Sequence, residues 1–285
     1  MNNSGWKCDA TEIYEDGCPV ACSRVVDLRT LEAVDMRYII SDIHGCYDQY
    51  RMLLDKIHFT ENDTLYVLGD AVDRGPEPVK VLRDMMRRRN VIFILGNHDF
   101  IMYTLMKKLS VEITADNYDK HLTPEILLDY NLWCQDGGQI TAEQFGKLSY
   151  SEKLDMLDYI AEASLYEVIK NNGKEYRLIH AGITNFSPYK DLEEYNLYDF
   201  LEGGADYSKR YYPDENIFLV TGHTPTFLIN GWGKTEVYRK NGHIAMDCSC
   251  VAGGRLAAFC IETEEVVYVD GVLDTKEDYL SRRKL

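Results

Sequence analysis

Arg37–Asp99 reads RYIISDIHGCYDQYRMLLDKIHFTENDTLYVLGDAVDRGPEPVKVLRDMMRRRNVIFILGNHD, and this stretch decides the fold. It contains three short runs rich in β-branched and aromatic residues, which are typical of buried strands. These runs are Arg37–Ser41, Thr64–Leu68 and Val91–Leu95. Two segments between them, roughly Tyr47–Ile57 and Pro76–Arg89, have helical periodicity. This alternation predicts two βαβ units whose strands are parallel.

Polar side chains follow each of these strands at the point where it ends. They are Asp42 and His44 after the first, Asp70, Asp73 and Arg74 after the second, and Asn97, His98 and Asp99 after the third. Because the carboxyl ends of parallel strands meet at one edge of a sheet, and ligands bind there, we expect these side chains to lie close together. Carboxylate, imidazole and amide groups are oxygen and nitrogen ligands for metal ions.

The composition excludes several classes of protein. The 285 residues carry a formal net charge of −16 and are 45% hydrophobic, which permits one large α/β domain or two small ones. The acidity argues against a nucleic-acid duplex or a membrane surface as partner, since Lys and Arg form no long run. No apolar stretch has transmembrane length, and eight cysteines are too few for a disulfide scaffold, so we expect a reduced, cytoplasmic protein.

Residues 1–35 differ from the pattern that follows them. They have no clear period, and the spacing of Cys8, Cys18 and Cys22 matches no zinc pattern well. Met36 stands directly before the first strand. We therefore predict an N-terminal extension over residues 1–35, either docked on the body or an upstream start, and one domain over residues 36–285.

The pattern changes again after Asp99. Residues 100–164 predict a helical insertion, packed beside the sheet or as a cap over the site. The helical segments are Phe100–Leu109, Pro124–Trp133, Thr141–Gly146 and Ser151–Ala163. Ser151 is the expected N-cap of the last segment, because an apolar face at helical spacing follows it.

The remainder of the chain is rich in strands. Leu165–Ile169 and Tyr176–Ile179 predict a hairpin, and Ile217–Thr221 is a further strand. The last two of these runs are followed by His180 and His223. Four more runs predict strands of a second, antiparallel or mixed β layer: Glu236–Tyr238, His243–Met246, Arg255–Ile261 and Glu265–Val269.

A single histidine after a strand is more often a structural residue than a metal ligand. The pattern is stronger here, because six potential ligands fall at strand ends: Asp42, His44, Asp70, Asn97, His180 and His223. They suit a two-metal site in which one carboxylate bridges cations about 3.5–4 Å apart. Asp70 is the expected bridge, since Asp42 and His44 precede it in the sequence and Asn97 follows it.

The motifs SDIHG, GDAVDRG, GNHD, HAG and GHTP occur in this order and resemble those of the calcineurin-like metallophosphoesterases. Within that family, GDAVDRG resembles the serine/threonine phosphoprotein phosphatases in their bacterial and phage forms. The resemblance covers about Met36 to Ile261. It implies an α/β four-layer fold, in which two packed mixed β-sheets are flanked by helices and a dimetal site lies at the sheet ends.

The resemblance also implies a role for each site residue. One metal ion would be held by Asp42, His44 and Asp70, and the other by Asp70, Asn97, His180 and His223. Arg74 would bind phosphate oxygens, His98 would act as the general acid, and Asp73 would orient His98. The cofactors would be two divalent metal ions. Bacterial relatives suggest Mn²⁺, and the ligands also suit Fe, Zn²⁺ or Ni²⁺.

The sequence departs from the family pattern at three places. Asp99 stands where the phosphoprotein phosphatases usually have Glu. The symmetrical dinucleoside tetraphosphatases also have Asp at this position. The C-terminal block MDCSCVAGGRLAAF resembles the closing motif of the family, but Ser249 replaces its usual Gly. A second phosphate-binding Arg, usual in bacterial relatives, is absent from residues 196–204. We expect a loop with Lys209 and Arg210 either to replace that Arg or to be a solvated surface loop.

Three functions are compatible with these observations. The first is a phosphatase that acts on phosphate monoesters, with a phosphoprotein as the substrate that the resemblance implies. The alternative is a symmetrical dinucleoside tetraphosphatase or another small-nucleotide phosphohydrolase. The third is a weakly active protein that binds a phosphorylated partner. The sequence makes no prediction of the oligomeric state.

Overall fold

The computed structural model describes residues 35–111, 114, 117 and 121–271 of the chain. The expected N-terminal extension lies outside the described residues except for Asp35, so its boundary stays a prediction. In the described part of the chain, no helix is both long enough and apolar enough to cross a membrane.

The described residues form strands and helices in alternation. The strands are β1 Arg37–Ile40, β2 Thr64–Leu68, β3 Val91–Ile94, β4 Tyr166–Asn171, β5 Lys174–Ile179, β6 Ile217–Thr221, β7 Tyr238–Lys240, β8 His243–Ala245, β9 Arg255–Cys260 and β10 Val266–Asp270. The α-helices are α1 Tyr47–Lys56, α2 Pro78–Arg87, α3 Asn97–Leu109, α4 Pro124–Trp133, α5 Gln139–Gly146, α6 Tyr150–Ala161, α7 Leu197–Leu201 and α8 Thr226–Asn230. Shorter elements are the turn Cys134–Gly138, which is kinked at Gly137, and the 3₁₀-helices Leu192–Glu194 and Cys250–Ala252.

The first sheet has the strand order β10–β9–β1–β2–β3. Strands β1, β2 and β3 are parallel, with Arg37 opposite Thr64 and Leu65 opposite Val91. Helices α1 and α2 connect them, so the two βαβ units predicted from the alternating pattern are confirmed. Parallel pairing brings the loops after β1, β2 and β3 to one edge of the sheet.

The second sheet has the order β4–β5–β6–β8–β7, with β5, β6 and β8 parallel and an antiparallel strand at each edge. The assignment of all C-terminal strands to this layer is wrong for β9 and β10, which belong to the first sheet. There β9 runs antiparallel to β1, with Tyr38 opposite Cys260. The composition of a strand does not encode its partner, and β9 satisfies the backbone groups that β1 leaves unpaired on its outer side.

The apolar core has two main parts, one between the first sheet and the helices and one between the two sheets. Successive side chains of a strand point to opposite faces, so Ile39 faces the second sheet, whereas Tyr38 and Ile40 face the helices. Buried apolar residues from both sheets meet in the layer between the sheets, among them Leu68, Ile94, Leu178, Val220, Ile244 and Phe259. Two packed mixed sheets flanked by helices confirm the fold class that the sequence implied.

The segment after β3 is mostly helical where it is described, but three helix starts differ from the predicted ones. Helix α3 begins at Asn97 rather than Phe100, and α5 begins at Gln139 rather than Thr141. Helix α6 begins at Tyr150 with Ser149, not Ser151, as its N-cap. The Ser149 hydroxyl accepts from the Glu152 amide, while the Glu152 carboxylate accepts from the Ser149 amide at 2.9 Å. The acidic residue three positions after Ser149 therefore selects this serine as the cap.

Candidate metal and phosphate site

The loops at the sheet edge hold the expected site residues in strained backbone conformations. Six of the nine residues have φ between 44° and 70°: Asp42, His44, Asp70, Asp73, Arg74 and His223. For a residue with a Cβ atom this left-handed conformation costs roughly 1–2 kcal/mol. Such strain concentrates at functional sites, where the surrounding structure enforces it.

Asp70 lies at the centre of the site. One carboxylate oxygen, Oδ2, is 3.5 Å from Nε2 of His44, and the other, Oδ1, is 3.4 Å from Nε2 of His180. Burial raises the pKa of Asp70, but the nearby His180, His98, His44 and Arg74 outweigh it, and the net pKa is lowered. The carboxylate is thus ionised and faces an imidazole on each side.

Backbone carbonyls fix the tautomers of these two histidines. Nδ1 of His44 is 2.8 Å from the carbonyl of Val72, and Nδ1 of His180 is 2.7 Å from the carbonyl of Leu68. Because a carbonyl oxygen only accepts, each Nδ1 carries a proton, and Nε2 is the ring nitrogen that faces Asp70 and could bind a metal ion. Such carbonyl partners orient metal-binding histidines in many proteins.

Asn97 and His223 complete one half of the site. The side-chain oxygen of Asn97 is 2.9 Å from Nε2 of His180 and 2.9 Å from Nδ1 of His223. Burial and the neighbouring His180 lower the pKa of His223 to about 4, so its ring is neutral near pH 7. Imidazoles, an amide oxygen and a carboxylate make a donor set that fits a divalent transition-metal ion.

Asp42 contributes a second buried carboxylate. It accepts hydrogen bonds from the His223 amide at 3.0 Å and from the Ser41 hydroxyl. Burial, together with Asp247 and Asp70, raises the pKa of Asp42 well above its usual range. Such a crowding of carboxylates is relieved by bound cations, which supports a metal site here.

Asp247 was missed by the sequence reasoning. It is 7% exposed, and its negative charge contributes to the raised pKa of Asp42. The signal that could have identified it is the C-terminal block MDCSCVAGG, whose aspartate matches that of the family's closing motif.

His98 and Asp73 form a buried pair beside these groups. Nδ1 of His98 is 2.7 Å from Oδ2 of Asp73, and that same oxygen accepts a 2.7 Å hydrogen bond from Nε1 of Trp133. The other oxygen, Oδ1, accepts from the Thr141 hydroxyl at 2.7 Å. Burial lowers the pKa of His98, but Asp70 and the hydrogen bond to Asp73 raise it more, so the net pKa is above the usual value.

Arg74 extends across the two histidines on the open side of the site. Its Nη1 lies 2.9 Å from Nε2 of His44, and its Nη2 lies 2.7 Å from Nε2 of His98. Nη2 also donates to the Asp136 carboxylate at 3.2 Å. The guanidinium is therefore placed where a planar fork could bind an incoming phosphoryl group.

Asp99 is fully buried and makes no contact with the open side. Its carboxylate accepts from the backbone amides of Asp70 at 2.7 Å, Ala71 at 3.1 Å and Gly96 at 3.2 Å. It therefore braces the loop that carries the central carboxylate. The presence of Asp rather than Glu at this position affects the geometry of that loop. The side chain does not distinguish substrates by contacting them.

The loop that we considered as a replacement for the missing Arg has other partners. Lys209 pairs with Asp206 at 2.6 Å, and Arg210 donates to the backbone carbonyl of Asp214 at 3.2 Å. Tyr207 shares a 2.9 Å hydrogen bond with Thr221, in the strand that ends before His223, and Tyr212 packs in one apolar cluster with Leu219 of that strand. These contacts favour the surface-loop interpretation for Lys209 and Arg210.

The family model of the calcineurin-like phosphoesterases matches residues 37–243. This range is most of the chain, and the protein belongs to that family. It is accordingly a metal-dependent phosphoesterase hydrolase of a family that works with two metal ions.

Two relatives with assigned names are similar to this chain over most of their length. The asymmetrical bis(5'-nucleosyl)-tetraphosphatase PrpE of Bacillus subtilis (strain 168) is 27% identical over 84% of this chain and 96% of that protein. The symmetrical bis(5'-nucleosyl)-tetraphosphatase of Buchnera aphidicola subsp. Schizaphis graminum (strain Sg) is 30% identical over 67% of this chain and 73% of that protein. A solved structure, "Crystal structure of a putative diadenosine tetraphosphatase", has a TM-score of 0.59 and 22% identity over 85% of this chain and 96% of that chain. At that identity the likeness shows the fold alone.

Proposed function

We propose that the protein hydrolyses dinucleoside polyphosphates with two divalent metal ions bound on either side of Asp70. The observation that supports the chemistry is the placement of Asp70, whose two oxygens face His44 and His180 at 3.5 and 3.4 Å. The substrate class is supported by two relatives that are named bis(5'-nucleosyl)-tetraphosphatases and that match most of this chain.

We assign the metal ligands as the sequence predicted them. Asp42, His44 and Asp70 would hold one ion, and Asp70, Asn97, His180 and His223 would hold the other. When bound, such ions lower the pKa of a water molecule and neutralise charge on phosphoryl oxygens. The mixed nitrogen and oxygen donors suit Mn²⁺, which we propose as the native ion, and are compatible with Fe, Zn²⁺ and Ni²⁺.

His98 is the group that we propose as proton donor. Asp73 holds its Nδ1, so its Nε2 is directed to the open side next to Arg74. Asp70 and Asp73 raise the pKa of His98 against the effect of burial, which favours the protonated form needed to donate to a leaving oxygen.

Arg74 is the group that we propose for binding phosphoryl oxygens. It is the single arginine that the sequence offers for this task, and its donors already converge on the space beside His44 and His98. In the substrate complex the guanidinium would exchange these imidazole contacts for two phosphate oxygens.

A phosphate-monoester substrate, including a phosphoprotein, is the second candidate. The intact pairing of His98 with Asp73 and the position of Arg74 favour it, because monoesters with poor leaving groups need protonation most. The same pair argues against the third candidate, a protein that only binds a phosphorylated partner.

A comparison of substrates separates the first two candidates. The Mn²⁺-loaded protein should hydrolyse diadenosine tetraphosphate with a higher kcat/KM than phosphoserine or phosphothreonine peptides. Chromatography of the nucleotide products would show the position of cleavage. A higher kcat/KM on the phosphopeptides would contradict the proposed substrate and support the second candidate.

A further inference from the structure

One segment of the helical insertion contacts the site in a way that the proposed chemistry does not use. Trp133 and Thr141 each donate a 2.7 Å hydrogen bond to the Asp73 carboxylate. Between them lies the turn Cys134–Gly138, which is kinked at Gly137, where the backbone is not helical. Both ends of the turn are therefore anchored to the loop that carries Asp73 and Arg74.

Backbone contacts fix the middle of this turn as well. The Arg74 amide donates to the carbonyl of Gly137 at 2.9 Å, and Nε of Arg74 donates to the carbonyl of Asp136 at 3.4 Å. Gly137 has φ of +101°, and a Cβ atom there would lie 2.6 Å from Cγ of Arg74, so a larger residue would not fit without movement. The turn sets the position of Asp136 relative to Arg74.

The Asp136 carboxylate lies beside the phosphate-binding groups. Its Oδ1 accepts from Nη2 of Arg74 at 3.2 Å, and its Oδ2 is 3.5 Å from Nε2 of His98. The side chain is 63% exposed, so it approaches Arg74 from the solvent side. A phosphoryl group that binds Arg74, with its leaving oxygen beside His98, must therefore share this space with a negative charge.

We propose that Asp136 is a specificity-determining residue, which disfavours doubly charged terminal phosphoryl groups relative to singly charged internal phosphoryl groups. This inference rests on the proposed function and explains its substrate class. A terminal monoester carries close to two negative charges near neutral pH. An internal phosphoryl group of a dinucleoside polyphosphate carries one. Repulsion from a fixed carboxylate grows with the charge that approaches it.

The substitution Asp136→Asn tests the inference directly. It removes the charge but keeps a side-chain oxygen that accepts from Arg74. In the Mn²⁺-loaded protein, kcat/KM for p-nitrophenyl phosphate should rise about three- to tenfold through KM, whereas that for diadenosine tetraphosphate should change less than about twofold. Isothermal titration with inorganic phosphate should show a matching gain in affinity that does not depend on turnover.

Glu143→Gln is the matched control. It removes one negative charge from the same insertion, and its carboxylate is bonded to the Gln139 side chain at 2.9 Å rather than to Arg74. Phosphate affinity and substrate ratio should stay at wild-type values in this variant. Conversely, Asp136→Glu keeps the charge and should stay closer to wild type than Asp136→Asn.

The outcome is decisive in either direction. If Asp136→Asn leaves phosphate affinity unchanged, or improves both substrates equally, Asp136 does not select by charge. If the wild-type protein prefers monoesters, the proposed function is wrong, and the titration with inorganic phosphate still decides whether Asp136 opposes a doubly charged phosphoryl group.

Discussion

Trp133 donates a 2.7 Å hydrogen bond from Nε1 to Oδ2 of Asp73, the same oxygen that is 2.7 Å from Nδ1 of His98. Trp133 ends helix α4 of the insertion, whereas His98 lies in the first turn of α3. A carboxylate held by both donors has little freedom to rotate. The orientation of the proposed general acid therefore depends on a side chain from the helical insertion.

Trp133→Phe should weaken this orientation without emptying the core. Phenylalanine keeps an aromatic ring in the buried position but cannot donate to Asp73. We expect kcat on alkyl phosphates to fall about tenfold with little change in KM. This loss is a part of the whole rate enhancement that a general acid provides. Steady-state kinetics would measure the changes in kcat and KM separately. An unchanged kcat would mean that Thr141 and the backbone hold Asp73 adequately alone.

His98→Ala should reduce turnover by about 10²–10⁴-fold on substrates with poor leaving groups, as is usual for a general acid. The loss should be smaller for aryl phosphates and for diadenosine tetraphosphate, because their leaving groups are more acidic. Turnover of an alkyl phosphate and an aryl phosphate by the same preparation provides the comparison. Equal losses on both would argue that His98 acts by binding rather than by proton transfer.

Asp70→Asn should impair binding at both metal positions. The amide removes the charge from the one side chain that faces both His44 and His180. We expect fewer than two equivalents of metal after dialysis, measured by elemental analysis, and a loss of activity of several orders of magnitude. His180→Asn is the informative comparison, since it should affect one position more than the other. Two retained ions in the Asp70 variant would show that it is not the bridge.

Ser249→Gly should stabilise the protein. Ser249 takes a left-handed conformation with φ of 64°, and its buried hydroxyl has no hydrogen-bond partner among the described residues. Glycine relieves the strain of roughly 1–2 kcal/mol but loses some chain entropy on folding. A net gain of about 1 kcal/mol in the free energy of unfolding is expected. Urea unfolding measures it, with Ser249→Ala as the control that keeps the strain. A lower stability of the glycine variant would contradict this account.

A chain that begins at Met36 should fold and retain activity. All proposed metal ligands lie after this position. The same holds for His98, Asp73 and Arg74 and for both described sheets. Circular dichroism, thermal unfolding and hydrolysis of p-nitrophenyl phosphate would test it against the full-length chain. Insoluble or inactive protein would show that residues 1–35 are part of the structure.

Much of the fold and of the proposed site could be predicted from local patterns. The three runs that end before Asp42, Asp70 and Asn97 predict both the fold and the site, because the residues that follow parallel strands lie at one common edge of the sheet. His180 and His223 follow strands of the second sheet in the same way. These residues were identifiable because their positions depend on strand ends, which a sequence shows.

What could not be predicted depends on contacts between distant segments. Trp133, Thr141 and Asp136 read as ordinary residues of a helical insertion, and only its docking brings them to Asp73 and Arg74. Asp99 was weighed as a substrate signal, whereas its three amide partners make it a brace of the loop. The partner of β9 was likewise invisible, because strand composition is the same in either sheet.

The pairing of β9 with β1 has a consequence for how the protein is made. Strand β1 leaves the ribosome early, but β9, its neighbour on one side, is among the last described segments to be synthesised. His180 and His223, in the second half of the chain, are also translated long after Asp42. A nascent chain that still lacks these segments therefore cannot assemble the proposed ion-binding cluster, and long-range pairing of this kind slows folding. We expect ion loading to wait until His223 and β9 have been synthesised, so that the growing polypeptide acquires its activity late.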